Sequence, residues 1–291
     1  MFWDVLMVGV MVGAIYTLVT IGYSMVYGML RLMNFAHGDV YIFGTLLTYT
    51  LLVTRHFSPI WAIVLAAVAG GALATIVEIV AYRRLRSAQH RMISMITALG
   101  AAYVIQNLSE LKWGNQVLPF PSLFPAKQLT ILGHGISVTH LVTLCIAVGV
   151  IVAFNLFLKH HRMGKAILCV SEDMAAASLM GIPINRTISI VYFLGGVFGV
   201  IGGVLYSASY NAISLGMGFR GTIVAFTAAV IGGIGSLGGA MIGGMILGIS
   251  ENFVGVYVSS TFRDPITFLL LILILLVKPT GIMGKTEQKK V

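Results

Sequence analysis

Charged residues are scarce in this sequence. Asp, Glu, Lys and Arg make up 9% of its 291 residues, only nine residues are acidic, and 58% are hydrophobic. Soluble domains carry about 25% charged residues, so this composition excludes a soluble globular protein. The apolar runs are continuous and lack the alternation of a membrane β-barrel. The sequence therefore predicts an all-α, polytopic membrane protein that forms a single transmembrane domain over residues 1–291.

The residues needed for several kinds of chemistry are also missing. Two cysteines, Cys145 and Cys169, are too few for a disulfide framework. No His and Cys cluster has the spacing of a metal site, and no acidic residues are clustered as a membrane enzyme would require. Gly284-Lys285-Thr286 ends like a phosphate-binding loop, but Pro279 stands where that loop needs its first glycine. We therefore expect no catalysis, metal or nucleotide cofactor in this chain.

Nine apolar segments predict nine membrane spans, the first of them retained because no cleavable signal is evident. They are about 4–30, 35–54, 60–82, 92–112, 138–158, 187–210, two within 221–258, and 265–277. The run 221–258 is longer than one span and is divided at the glycine-rich stretch 232–239. Eight crossings are the alternative, if one segment is re-entrant. Residues 113–136, with three prolines, are expected to form an extracytoplasmic loop.

The basic residues are distributed unevenly over this topology. With the N-terminus outside, thirteen fall on one side: Arg31, Arg83, Arg84, Arg86, Arg91, Lys159, Arg162, Lys165, Arg186, Lys278, Lys285, Lys289 and Lys290. Five fall on the other: Arg55, Lys112, Lys127, Arg220 and Arg263. Because the more basic side faces the cytoplasm, we expect the loop 159–186 and the C-terminus there. The net charge of +9 is thereby explained by the lipid bilayer, without nucleic acid.

One short segment, 164–183, carries helix start and stop signals. Ser171 can cap its N-terminus, Glu172 and Asp173 place negative charge in its first turn, and Gly181 ends it. The helix would have about nine residues, or about 14 Å, against a hydrocarbon core of about 30 Å. A cytoplasmic contact site and an ordinary loop helix both fit this pattern.

Two sets of interior residues are candidates for a translocation path. Glu251 and Asn252 lie in the eighth span, where an acid marks either a polar pathway or a hydrogen bond between helices. The stretch 232–248, GGIGSLGGAMIGGMILG, either frees backbone groups that line a path or allows tight helix packing. Its candidate residues are Gly232, Gly233, Gly235 and Ser236.

A third set is NFAHGD, residues 34–39. Asn34 is a possible helix N-cap, His37 is a polar path candidate, and Gly38 permits close approach. These residues predict either a gate with a broken backbone or a helix start at the inner interface. Glu78, about one turn before Arg83, is expected to form an interfacial ion pair.

There is a faint internal similarity. Residues 9–38 and 195–221 each contain a glycine-spaced span that ends in Tyr and Ser residues, followed by a loop and a glycine. In the nine-span topology the two segments run in opposite directions, as in the inverted repeats of transporters. Shared composition explains the match about as well.

Three motifs together resemble the branched-chain amino acid permease family of bacterial ABC importers. They are RLMNFAHGDVYIFG, SEDMAAASLMGIPINR and VIGGIGSLGGAMIGGMILGISEN, which begin at Arg31, Ser171 and Val230. The resemblance implies that residues 172–181 form a coupling helix that docks on an ATPase. The expected contacts are Ser171, Glu172, Asp173, Ala176, Ala177 and Gly181.

The resemblance also implies the partners and the location. The chain would pair with a second homologous permease subunit in the bacterial inner membrane, with two ATP-binding cassette subunits that hold ATP and Mg, and with a periplasmic binding protein. Urea or short-amide permeases of the same family are an alternative. An ion-coupled secondary transporter is a further one, for which Glu251 is the best candidate residue.

Overall fold

The computed structural model describes residues 2–85, 91–124, 128–131 and 134–284. Its helices are α1 (Phe2–Leu30), α2 (His37–Val53), α3 (Pro59–Val77), α4 (Arg91–Trp113), α5 (Val138–His160), α6 (Arg162–Glu172), α7 (Met174–Leu179), α8 (Ile184–Tyr210), α9 (Gly216–Gly232), α10 (Leu237–Tyr257) and α11 (Arg263–Val277). A π-helical turn (Glu78–Tyr82) and a 3₁₀ turn (Arg83–Leu85) extend α3, and another 3₁₀ turn (Ser260–Phe262) precedes α11. The predicted all-α class is confirmed.

Four short strands lie in the connections. They are β1 (Leu118–Pro119), β2 (Gln128–Ile131), β3 (His134–Ser137) and β4 (Ala212–Ile213). β2 and β3 form an antiparallel hairpin within the predicted loop 113–136, and β1 pairs with β4, which follows α8. These strands were not predicted from the sequence. Lys127 of this loop, together with Arg86, Lys285, Lys289 and Lys290, lies outside the described residues.

Six helical segments in the described part of the chain are long and apolar enough to cross a membrane. They are α1, α3 with its extension, α5, α8, α10, and α11 with its 3₁₀ turn. Each of the nine predicted spans coincides with a helix, but α2 and α9 have only 17 residues, about 26 Å at 1.5 Å per residue. α4 carries Gln106, Asn107, Glu110 and Lys112 in its last two turns. The predicted eight to nine spans therefore exceed these six, while the polytopic class is confirmed.

α1 is the central helix of the bundle. Its residues from Met11 to Val26 are all buried, as expected for a helix that is apolar on every side. It packs along the whole length of α10 in the opposite direction, with Gly13 against Met245 and Gly28 against Gly235. Small residues at these contacts let the two backbones approach closely.

Helices α1–α4 and α8–α11 form two similar halves. Each half begins with a long helix of 29 or 27 residues, followed by a short return and a helix of 17 residues. α3 packs on α8 as α10 packs on α1, and α4 packs on α2 as α11 packs on α9. α1 and α8 are antiparallel, with Gly22 against Gly195 and Met11 against Ser209. The two halves thus have the opposite directions of an inverted repeat, as the sequence similarity predicted.

The two short returns bring α2 and α9 into the interior of the bundle. His37, the first residue of α2, lies against the Val19 carbonyl in the middle of α1. Gly38 meets Gly218 of α9, and a Cβ atom at Gly38 would overlap the Gly218 carbonyl oxygen. NFAHGD therefore marks a helix start, as one of the two alternatives predicted, but α2 begins inside the bundle, beside the middle of α1.

Several helix ends meet at one end of the bundle. Gly28 of α1 contacts Gly235 just before α10, and the Tyr82 hydroxyl after α3 donates to the Met33 carbonyl after α1. We call this the basic end, because the helix ends and connections there carry Arg31, Arg83, Arg84, Lys159, Arg162, Lys165, Arg186 and Lys278. Arg55, after α2, and Lys112, in the last turn of α4, lie at the opposite end.

Candidate functional site

The segment predicted as one capped helix consists of two helices at the basic end. α6 ends at Glu172 and α7 begins at Met174, because Asp173 has an extended backbone between them. The Asp173 carboxylate caps α7 by accepting from the backbone N–H groups of Ala175 and Ala176, each at 2.9 Å. The prediction of Ser171 as the cap is wrong, since its hydroxyl donates to the Leu168 carbonyl within α6.

α7 presents an apolar tip to the surroundings. Leu179 and Met180, at its C-terminal end, are 90% and 82% exposed. Gly181 follows with φ of +78° and ends the helix, as the sequence predicted. Of the other predicted contact residues, Ala176 is exposed and Ala177 is buried against the bundle. α7 therefore packs on the bundle through Ala177 and leaves Leu179 and Met180 exposed at its C-terminal end.

NFAHGD brings together polar groups from three helices. Asn34 does not cap α2; its side-chain oxygen accepts from the Tyr82 hydroxyl at 3.2 Å. His37 is buried, with Nε2 3.3 Å from the Val19 carbonyl. The backbone N–H of Gly38 donates to the Thr222 hydroxyl at 2.9 Å. Close approach at Gly38 is confirmed, whereas a path role for these residues stays a prediction.

The glycine-rich stretch between α9 and α10 is a packed turn at the basic end. Ser236 caps α10 by accepting from the Gly239 backbone N–H at 3.1 Å. Gly233 and Gly235 have positive φ values of +108° and +81°. The backbone N–H groups of Ile282 and Met283, after α11, donate to the carbonyls of Ile231 and Gly232 at 2.9 and 2.8 Å. These contacts favour tight packing for Gly232 and Gly233, and their path role stays a prediction.

An ion-pair cluster lies around Glu251 toward the opposite end. Arg220 was expected in an outer loop, but it lies in the second turn of α9, with Nη2 3.2 Å from Glu251 Oε2. Its Nε is 2.7 Å from Asp264 Oδ1. The Tyr16 hydroxyl donates to Glu251 Oε2 at 2.7 Å, and Thr267 donates to Oε1. Side chains from three other helices thus satisfy one buried carboxylate of α10, as the cost of burying a charge requires.

Glu251 was predicted from the sequence, but its partners were not. Arg220 is 31 positions away, and Tyr16 is 235 positions away, so no local spacing reports the contact. The neighbouring Asn252 donates to the Val5 carbonyl at 2.6 Å. For Asn252, this bond favours a structural role as a hydrogen bond between helices over a role in a polar pathway.

The predicted ion pair of Glu78 is confirmed. Arg83 places Nη2 2.8 Å from Glu78 Oε2 and Nε 3.2 Å from Oε1. The Ser189 hydroxyl of α8 also donates to Glu78, at 2.8 Å. Glu78 is the first residue of the π-helical turn that ends at Tyr82, and such turns often mark functional positions.

Comparison with known proteins gives consistent results. A family model described as branched-chain amino acid transport system, permease component, matches residues 5–277. The high-affinity branched-chain amino acid transport system permease protein LivH of Escherichia coli K12 is 39% identical over 297 residues, which cover 97% of this chain and 96% of LivH. The permease protein BraD of Pseudomonas aeruginosa is 37% identical with the same coverage.

A solved structure has a similar fold. PsaBC from Streptococcus pneumoniae, in complex with Fab, aligns with a TM-score of 0.55 and 17% sequence identity. The alignment covers 96% of this chain and 92% of the other. At that identity the likeness concerns the arrangement of helices alone.

Proposed function

Because the chain belongs to the family of branched-chain amino acid transport permease components, we propose that it is the membrane-spanning subunit of an ATP-driven importer of branched-chain amino acids. In this proposal it forms half of the translocation path and hydrolyses no ATP itself. The polytopic bundle and the near-complete match to LivH support it. The chain lies in the bacterial inner membrane, with the basic end and the C-terminus in the cytoplasm.

The single observation that carries the coupling role is the tip of α7. Leu179 and Met180 are large apolar side chains at a solvent-facing end of the protein, where burial against a partner is favourable. The Asp173 cap and the turn at Gly181 fix the helix in one orientation. A short rigid helix with an apolar tip suits a groove on an ATPase subunit, so that movement of the ATPase is transmitted to the bundle.

The remaining partners follow from the same assembly. One ATP-binding cassette subunit docks on this chain and a second on a homologous permease subunit, and both hold ATP and Mg. A periplasmic binding protein delivers the amino acid at the opposite end, where the loop 113–136 and the connection after α2 lie. This chain would contribute one coupling helix to the complex.

Copurification tests the coupling role. The chain is affinity-purified from its own membranes, and ATPase activity and subunits are measured in the eluate. We expect the Leu179→Ser/Met180→Ser variant to lose at least nine-tenths of the associated ATPase. The matched control, Leu111→Ser/Val117→Ser, changes two exposed apolar residues at the opposite end and should retain it. Unchanged ATPase with the α7 variant would contradict the coupling role.

Two alternatives are tested by transport. A urea or short-amide permease would take up those solutes in place of leucine. An ion-coupled transporter has one observation in its favour, the Arg220–Glu251 pair inside the bundle. It predicts leucine uptake that needs an ion gradient and persists when ATP is depleted. The ATP-driven proposal predicts uptake that stops without ATP and continues when ion gradients are collapsed.

A further inference from the structure

A small apolar cavity lies beside the guanidinium of Arg220. Its walls include Ile15 and Val19 of α1 and Met217 and Val224 of α9. Three tyrosines also line it, and Gly221 leaves one side without a side chain. The cavity holds about 30 Å³, roughly the share of one water molecule. Met217, an unbranched side chain that repacks readily, borders this space.

The charges beside the cavity have unequal surroundings. Glu251 is 3% exposed and is held by Tyr16 and Thr267 as well as by Arg220. Asp264 is 64% exposed, and Arg220 is the partner in its ion pair. Pairs with an exposed partner are weak because water competes for both charges. The Arg220–Asp264 contact is therefore the one that a competing carboxylate can displace.

We propose that Arg220, Asp264 and the adjacent cavity form a transient site for a zwitterionic amino acid with a branched aliphatic side chain. The substrate carboxylate takes the place of Asp264 on the Arg220 guanidinium. The substrate ammonium pairs with the displaced Asp264. The aliphatic side chain enters between Val19 and Val224 as Met217 turns away. Glu251 stays bound to Arg220 and keeps the guanidinium in position.

The chemistry of the site selects this class of ligand. A planar guanidinium binds a carboxylate through two parallel hydrogen bonds, which urea and neutral amides cannot match. An adjacent carboxylate suits an ammonium group, and aliphatic walls favour a branched apolar side chain. The inference rests on the proposed function and adds to it a substrate site within this chain, apart from any site on a binding protein.

Substrate selectivity tests the site. The complete transporter is reconstituted in liposomes, and uptake is measured with binding protein saturated by leucine or by phenylalanine. Val224→Ala widens the cavity, so we expect the ratio of phenylalanine to leucine uptake to rise at least fivefold. Val148→Ala, an exposed position on α5, is the matched control and should keep the wild-type ratio. The inference is overturned if Val224→Ala leaves the ratio of phenylalanine to leucine uptake unchanged, or if it lowers both uptake rates equally.

Direct binding gives a second measurement. Radiolabelled leucine is added to the complex in nanodiscs without binding protein. We expect Arg220→Gln to weaken binding at least tenfold, while Arg55→Gln, an exposed arginine toward the same end, leaves it unchanged. The proposed site is overturned if the Arg220→Gln complex binds leucine as tightly as the wild type, or if neither complex binds leucine. If the wild-type transporter takes up leucine in that case, the proposed function stands; if it takes up no branched-chain amino acid, the proposed function itself fails.

Discussion

Glu78 and Glu251 hold equivalent positions in the two halves of the bundle. Each lies eight positions after the first of two adjacent glycines. The two segments are GGALATIVE from Gly70 and GGMILGISE from Gly243. Each carboxylate is buried and pairs with an arginine, at 2.8 Å for Glu78 and 3.2 Å for Glu251. The Glu78 pair lies near the basic end and the Glu251 pair toward the opposite one. The inverted repeat thus places one charged contact toward each end of the bundle.

The Glu78 pair should contribute measurably to stability. Glu78→Gln keeps the size of the side chain but removes the charge that Arg83 and Ser189 contact. Hydrogen bonds to charged groups are worth about 1.5–3 kcal/mol, and we expect a loss of about 2 kcal/mol in the free energy of unfolding. Thermal unfolding in detergent measures it. Glu110→Gln, an exposed acid on α4, should change little; an equal effect of both substitutions would contradict the prediction.

Gly38 should tolerate no side chain. The methyl group of Gly38→Ala would overlap the Gly218 carbonyl oxygen, and backbone cannot move aside as a flexible side chain can. Overpacking of this kind costs about 1–3 kcal/mol. Gly149→Ala is the control, because no atom lies within 4 Å of its added Cβ and alanine favours a helix by up to about 1 kcal/mol. We expect Gly38→Ala to lower the melting temperature and Gly149→Ala to raise it. A higher melting temperature for Gly38→Ala would contradict the close contact of α2 with α9.

The cap of α7 can be assigned by hydrogen exchange. Asp173→Ala removes the acceptor for two backbone N–H groups, and the loss of such a cap costs about 1 kcal/mol. Amides of residues 174–179 should then exchange several-fold faster. Ser171→Ala removes a hydroxyl that caps nothing, so its exchange in α7 should match the wild type. Faster exchange in the Ser171 variant would restore the sequence-based assignment.

The segment after α11 should depend on close contact at Gly281. Gly281 has φ of +77°, and a Cβ atom there would overlap Gly233 of the glycine-rich turn. Gly281→Ala should therefore free residues 281–284 from α9 and increase proteolysis near Met283. Gly114→Ala separates the two causes, since Gly114 has φ of +78° with no atom within 4 Å of an added Cβ. A similar rise in proteolysis next to each substituted glycine would mean that backbone strain alone, and not the contact with Gly233, decides the result.

The sequence predicted the membrane helices because hydropathy is a local property. Each predicted span coincides with a helix, and the division of 221–258 falls where α9 ends and α10 begins. The depth at which a helix begins within the bundle is not determined by the local sequence. α2 and α9 begin inside the bundle because Gly38 and Gly218 fit against each other across 180 positions of sequence, so a hydropathy scan placed their first turns at the surface.

The candidate site was harder to predict than the fold. Ser171 and Asp173 are both good caps by residue type, and only the extended backbone at Asp173 decides between them. Arg220 follows GMGF, a weakly apolar run, and was assigned to a loop because its partners, Glu251 and Asp264, are 31 and 44 positions away. Residue type and spacing therefore identified the acid, and only the folded chain identified its arginine.

The crossing of α2 and α9 has an electrostatic consequence. The N-terminus of a helix carries the equivalent of about half a positive charge, and neither helix has a side-chain cap. Two such ends converge at Gly38 and Gly218. Asp39, buried in the first turn of α2, places a carboxyl group at this positive end, where the helix dipole favours one. Two helix N-termini that meet in the interior therefore favour an acidic group over a basic one at this level of the bundle.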